Sequence, residues 1–66
     1  MTLQEKMILF RAKNRLSQDD FAKRCGLSKM TICQIENGSQ MPSKISKAKI
    51  ILAMGGSASD IISEQN

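Results

Sequence analysis

The chain has 66 residues, ten Lys and Arg against six Asp and Glu, no histidine, two cysteines and a formal net charge of +4. That length accommodates one domain over residues 1–66, whose folding hides only about 60% of the unfolded chain's surface, so modest stability is expected. Without histidine or clustered carboxylates, neither a metal site, a cofactor nor catalysis is expected, and without a long apolar run or leader in MTLQEKMILF the expected location is cytoplasmic, away from membranes.

Leu3, Met7 and Phe10 recur at i, i+4 and i+7, the stripe of an amphipathic first helix over residues 2 to about 14, with Glu5, Lys6 and Lys13 off that face. Asn14 is a candidate cap at its end. Ser17 then stands where an N-cap belongs, with Asp20 three residues on as a capping-box partner and Asp19 and Asp20 in the first turn, where the helix dipole favours negative charge. Phe21, Ala22 and Cys25 share one face of this second helix, while Asp19, Asp20, Lys23 and Arg24 share the other. Gly26 reaches the left-handed conformation without steric cost and should end it, and Leu27 closes the corner.

Ser28 is the N-cap of a third helix in which Ile32, Ile35 and Glu36 form one stripe and Lys29, Met30, Cys33, Gln34 and Asn37 face elsewhere; Gly38 ends it. The two cysteines thus fall on two different helices of a chain without export signals, and free thiols are expected. Pro42 disfavours helix at Met41, so residues 39–43 form a loop, and Ser43 caps a fourth helix that starts near Lys44 and stops at Gly55 and Gly56. Ser57 or Ser59 would cap a last short helix through Asp60, Ile61, Ile62 and Glu64. The expected fold is all-α, with five helices in one compact domain.

Within residues 18–37, Ala22 takes the fifth position, where a small side chain lets two helices approach, Gly26 the ninth and Ile32 the fifteenth. Phe21, Cys25, Leu27 and Ile35 fill the flanking apolar positions, Leu16, Ser17 and Gln18 lead in, and Ile35, Glu36, Asn37 and Gly38 lead out toward Pro42. This pattern resembles the helix-turn-helix of the lambda-repressor and Cro family, also called the xenobiotic-response-element family, with the motif at helices 2 and 3, and the likeness covers roughly the whole chain. The resemblance implies an ion pair between Arg11, seven residues before Gln18, and Glu36, tying the first helix to the end of the third. Two departures stand out: Arg15 occupies a position where members often carry glycine, and Cys33 one where a longer polar side chain is common.

The resemblance also leaves two frames for the fourth helix. Periodicity alone allows a stripe of Ile45, Ala48, Ile51 and Leu52, whereas the family's core offsets select Lys44, Lys47, Ile50, Ile51 and Met54; Ala48, Ile51 and Met54 are taken as buried.

Residues 11–49 hold nine basic and three acidic side chains, so the basic surplus sits on the segment that carries the motif, although scattered lysines also serve solubility. In a helix-turn-helix the second helix of the motif enters the major groove of double-stranded DNA. The expected base contacts are Lys29 to guanine, Gln34 to adenine, and Met30 and Thr31 to a thymine methyl, with Met30 alternatively half-buried and Cys33 a spacer. Phosphate contacts are expected at helix ends, from Gln18, Ser28, Asn37, Ser39, Ser43 and Lys44. Such a small regulator is expected to bind a palindromic operator as a homodimer, a repressor with no small-molecule ligand, through the apolar excess near Ile50, Ile61 and Ile62 or the loop before them; core packing is the rival account of those residues. The alternative function is a protein-interaction module, an antitoxin or anti-repressor subunit that keeps the fold with weak or no DNA binding.

Overall fold

In a computed structural model that describes residues 1–56, the chain forms four α-helices: α1 (Leu3–Asn14), α2 (Gln18–Cys25), α3 (Lys29–Glu36) and α4 (Lys44–Ala53). The expected fifth helix, with Asp60, Ile61, Ile62 and Glu64, lies outside the described residues.

Each helix begins at a hydroxyl. Thr2 Oγ1 accepts from the Glu5 amide at 3.2 Å while the Glu5 carboxylate accepts from the Thr2 amide at 2.9 Å, a reciprocal box that pulls the Glu5 carboxyl below its ordinary pKa. Ser17 and Asp20 repeat the arrangement at α2, with the Asp20 amide 3.0 Å from Ser17 Oγ. Ser28 receives the Thr31 amide at 3.1 Å and Ser43 the Ser46 amide at 3.1 Å.

The helix ends are as local. Gly26 closes α2 at φ +75°, and a Cβ there would meet nothing within 4 Å, so the demand for glycine comes from the backbone dihedral and not from crowding. At the end of α1 the cap is Arg15, not Asn14. Arg15 itself takes the left-handed conformation (φ 54°, ψ 46°), and the Leu16 amide reaches back to Arg11 O at 2.9 Å. Asn14 stays helical because its Nδ2 finds the Phe10 carbonyl at 2.9 Å. An L-residue in that well costs about 1–2 kcal/mol, which the 2.9 Å return bond helps to offset.

The core is one cluster of Met7, Phe21, Ala22, Cys25, Ile32, Ile35 and Ile50, edged by Leu3, Phe10, Leu16, Leu27, Ala53 and Met54. The Phe10 and Phe21 rings lie 5.8 Å apart, tilted by 50°, and the Arg24 guanidinium sits 5.7 Å from the Phe10 ring. Both cysteines are free; Cys25 is buried among apolar side chains, and that burial pushes its thiol up to about 11.

In α4, Ile50 and Ile51 are buried and Met54 packs on the core, but Ala48 is only half-buried and Ile45 and Leu52 are exposed. The periodic stripe of Ile45, Ala48, Ile51 and Leu52 is therefore split: Ile51 is buried, Ala48 is half-buried, and Ile45 and Leu52 face away from the core. At about 100° per residue, Ile50 and Met54 point one way while Ile45 and Leu52 point the other, so α4 carries two apolar faces; the inner one matches the family offsets at Ile50, Ile51 and Met54 but not at Lys44, which is exposed, or Lys47, which is half-buried. Ile50 is accordingly a core residue and is not available for a contact between copies. Among the described residues no helix is long and apolar enough to cross a membrane.

Candidate nucleic-acid interface

α2 and α3 pack against each other around Phe21, Ala22, Cys25, Ile32 and Ile35. Ala22, almost wholly buried, occupies the contact with a single methyl group, so the two backbones can come close. The Leu27 amide bonds Ala22 O at 2.9 Å and makes the corner between the helices a second backbone tie.

One carboxylate gathers three helices. Arg11 Nε donates to Glu36 Oε2 at 2.8 Å and Arg11 Nη2 to Glu36 Oε1 at 2.7 Å, a two-pronged pairing, and Gln18 Nε2 adds a third bond to Glu36 Oε1 at 3.2 Å. Arg11 Nη1 also donates to Leu16 O at 3.2 Å. The Glu36 side chain is only 5% exposed and that of Arg11 20%, and the bond to Glu36 holds the guanidinium pKa above its ordinary value. The structure thus brings Arg11 and Glu36 together. It adds Gln18, whose side chain is turned inward onto Glu36; no spacing within the sequence links residues 18 and 36, so this contact had no local signal.

With Ile32 and Ile35 anchored in the core and Glu36 turned onto Arg11 and Gln18, the face made by Lys29, Met30, Cys33 and Gln34 is turned outward. At about 100° per residue, Met30 lies roughly 170° from the bisector of Ile32 and Ile35, with Gln34 and Cys33 on either side of it and Lys29 at the flank. Met30 is 69% exposed, so it is a surface side chain and not a half-buried one. Lys29, Met30, Cys33 and Gln34 line a shallow hollow on this surface, and its walls are almost wholly apolar. Thr31 belongs to the edge of the face: its hydroxyl is 2.8 Å from Ser28 Oγ, so the two hydroxyls at the start of α3 satisfy each other. The outermost place of Met30 was available from helical arithmetic alone; the hollow beside it required the packed helix.

The remaining polar candidates cluster at the two ends of the loop after α3. Asn37 Oδ1 accepts from the Ser39 amide at 2.9 Å, and Ser39 Oγ donates to Gln34 O at 3.3 Å, so Asn37, Ser39 and Gln34 form one small network at the end of α3. Ser43 caps α4 and its hydroxyl also reaches Ser46 Oγ at 3.1 Å, while Lys44 in the first turn is exposed. The cap engages the Ser46 amide, and the amides of Lys44 and Ile45 have no acceptor within the helix, leaving donors at a positive dipole end beside a lysine. Among the described residues no three His, Cys, Asp or Glu side chains converge as a metal site.

A family model described as Helix-turn-helix matches residues 8–61. An uncharacterised HTH-type transcriptional regulator of Methanocaldococcus jannaschii is 37% identical over 59 residues, spanning 89% of each chain. No solved structure matches. With the Gly26 corner, the Ala22 contact and the Arg11–Glu36 tie in one unit, and with the match running over most of its length, the chain belongs to the Cro/C1-type helix-turn-helix family.

Proposed function

We propose that this protein is a sequence-specific double-stranded DNA-binding transcriptional regulator that lays α3 in the major groove and acts as a repressor, bound as a homodimer to a palindromic operator. The observation that carries the reading is the outward face of α3, which offers Lys29, Met30 and Gln34 from a helix held by the core packing of Ile32 and Ile35 and, at its C-terminal end, by Glu36. A rigid helix holds side chains to one spacing, and base edges are read by spacing.

In this reading Lys29 donates to guanine O6 and N7, Gln34 pairs with adenine N6 and N7, and Met30 and the Thr31 methyl meet thymine methyls, each good contact contributing about 1–3 kcal/mol of discrimination. Gln18, Ser28, Asn37, Ser39, Ser43 and Lys44 hold the phosphates on both sides of the groove, where helix-start amides and exposed hydroxyls meet anions. Gln18 does so from α2's first turn while its amide stays on Glu36. The outer stripe of α4, with Ile45 and Leu52 exposed and Met41 nearby in sequence and also exposed, supports a contact between two copies ahead of the C-terminal segment.

Selection of bound sequences from a random duplex pool tests the whole reading: a palindromic consensus with half-sites about 34 Å apart is expected. Lys44→Ala should weaken binding to all duplexes alike and flatten the slope of log affinity against log salt by about 0.9. Gln34→Ala should relax the choice at one base pair. Equal losses on specific and random DNA for both variants would refute this division of roles.

A further inference from the structure

We propose that α1 carries a further interface between copies of this chain: its outer face, made by Glu5, Ile8, Leu9 and Ala12, pairs antiparallel with the same face of a second molecule. The inference goes beyond the DNA-binding reading and does not depend on it.

Helical arithmetic sets this face apart. At about 100° per residue, Leu3, Met7 and Phe10 point toward the core, and Glu5, Ile8, Leu9 and Ala12 fall on the opposite side. These four stand at i, i+3, i+4 and i+7, the spacing of a stripe that packs on another helix, and all four are exposed. Ile8 is 44% exposed and Leu9 53%, on a helix already anchored by its other side. Ala12 contributes only a methyl group, so a second helix can approach closely there. α1 therefore has two apolar faces, and the described residues leave the outer one uncovered.

Charge selects the occupant. The Thr2 amide and the Thr2 hydroxyl both donate to Glu5 Oε1, at 2.9 and 3.0 Å, which leaves Oε2 for an outside donor. Lys13, two turns along at the flank beside Leu9, is exposed and in no ion pair among the described residues. An antiparallel pair with its two-fold axis between Ile8 and Leu9 packs Ile8 on Ile8 and Leu9 on Leu9. The offset along the axis from Glu5 to Lys13 of the second copy is then one residue, about 1.5 Å, at both ends of the pair. The face complements itself in shape and in charge, as a two-fold contact requires. Its four side chains include one acid and no base, so it does not attract a polyanion such as DNA. Four side chains a copy are far fewer than the about 20–30 residues a side of a standard interface, so the contact is weak and acts where copies are already held close. Together with the α4 stripe of Ile45 and Leu52, it would carry assembly past a dimer.

Sedimentation equilibrium up to about 1 mM, on the native protein, Leu9→Gln, Leu52→Gln and the double variant, reads both contacts. The native protein should form species larger than a dimer, each single variant should stop at the dimer, and the double variant should be monomeric. Leu9→Gln should weaken the α1 contact about tenfold or more, since two half-exposed leucines lose their burial, with an unchanged helical spectrum. Lys13→Glu should weaken it about threefold, and Lys13→Arg should retain it. In a Cys33→Ser background, Leu9→Cys should be joined between copies by a short bismaleimide. Gln4→Cys, a quarter-turn off the face and at the far ends of the pair, should not be. Association that Leu9→Gln leaves unchanged overturns the inference, as does equal cross-linking at positions 4 and 9. A lower urea midpoint for Leu9→Gln at unchanged association would assign the face to the chain's own residues 57–66 and overturn it likewise. If Leu9→Gln is already monomeric while Leu52→Gln matches the native protein, the α4 contact fails and the α1 interface stands.

Discussion

Replacing Arg11 by methionine should destabilise the domain more than replacing Glu36 by leucine, because the charge left behind is more deeply buried in the first case. Arg11→Met leaves a carboxylate whose side chain is 5% exposed with Gln18 as its remaining donor. Removing one partner of a buried pair costs about 3–5 kcal/mol, and water can reach this one through the gap Arg11 leaves, so a loss of about 3 kcal/mol is expected. Glu36→Leu leaves a guanidinium that is 20% exposed and still bonded to Leu16 O, for an expected loss of about 1.5 kcal/mol. The double variant leaves no unpaired charge and should lose only about 2 kcal/mol, giving a coupling of about 2.5 kcal/mol. Against a total of roughly 3–10 kcal/mol for a chain of this length, Arg11→Met alone should bring the urea midpoint down steeply. Urea unfolding followed by helical circular dichroism on the four proteins reads all of these values. If the losses add to within about 0.5 kcal/mol, or if Glu36→Leu costs more than Arg11→Met, the burial argument is wrong.

Arg15→Gly should stabilise the fold by up to about 1 kcal/mol, since it relieves the left-handed arginine at the end of α1 and gives back part of the gain as chain entropy; a lower urea midpoint would contradict this. Gly26→Ala should cost about 1 kcal/mol, because open space around the site leaves only the dihedral penalty, and a much larger loss would mean the corner is crowded. The Cys25 thiol, raised from 9.0 to about 11 by burial, stays protonated in the folded state above the point where the unfolded chain gives up its proton. Its contribution is whole below about pH 9 and is lost as pH rises through about 11, with a slope of up to about 1.4 kcal/mol per pH unit. Comparing native protein with Cys25→Ala across that range isolates this group from the lysines, and identical slopes would refute the assignment.

The motif was legible because its determinants are local. Ser17 with Asp20, Gly26, and Ser28 act within three or four residues, and the apolar positions of α2 and α3 admit one inner face each. α4 resisted because Ile45, Ala48 and Leu52 make as plausible a stripe as Ile50 and Met54, and which one turns inward depends on where the loop of residues 39–43 delivers the helix. The end of α1 resisted for a different reason: arginine has no preference for the left-handed well, and only the bonds around it hold it there. The box at Thr2 and Glu5 carries the ordinary T-x-x-E signature, yet its register is visible only once α1 is known to start at Leu3. Of the site, Met30 could be placed outward by counting, whereas the Gln18 bond to Glu36 joins residues 18 apart and belongs to tertiary structure.

Four hydroxyl caps, each acting on an amide three residues away, have a consequence for how quickly this domain is made. Helix starts written into neighbouring residues can form before distant segments meet, and chains rich in such short-range structure fold in microseconds to milliseconds. The Arg11–Glu36 pair spans 25 residues and needs α1, α2 and α3 already assembled, so it should form after the rate-limiting step. Its loss should then appear as faster unfolding with little change in the folding rate, and the same carboxylate that positions α3 would set how long the folded state lasts.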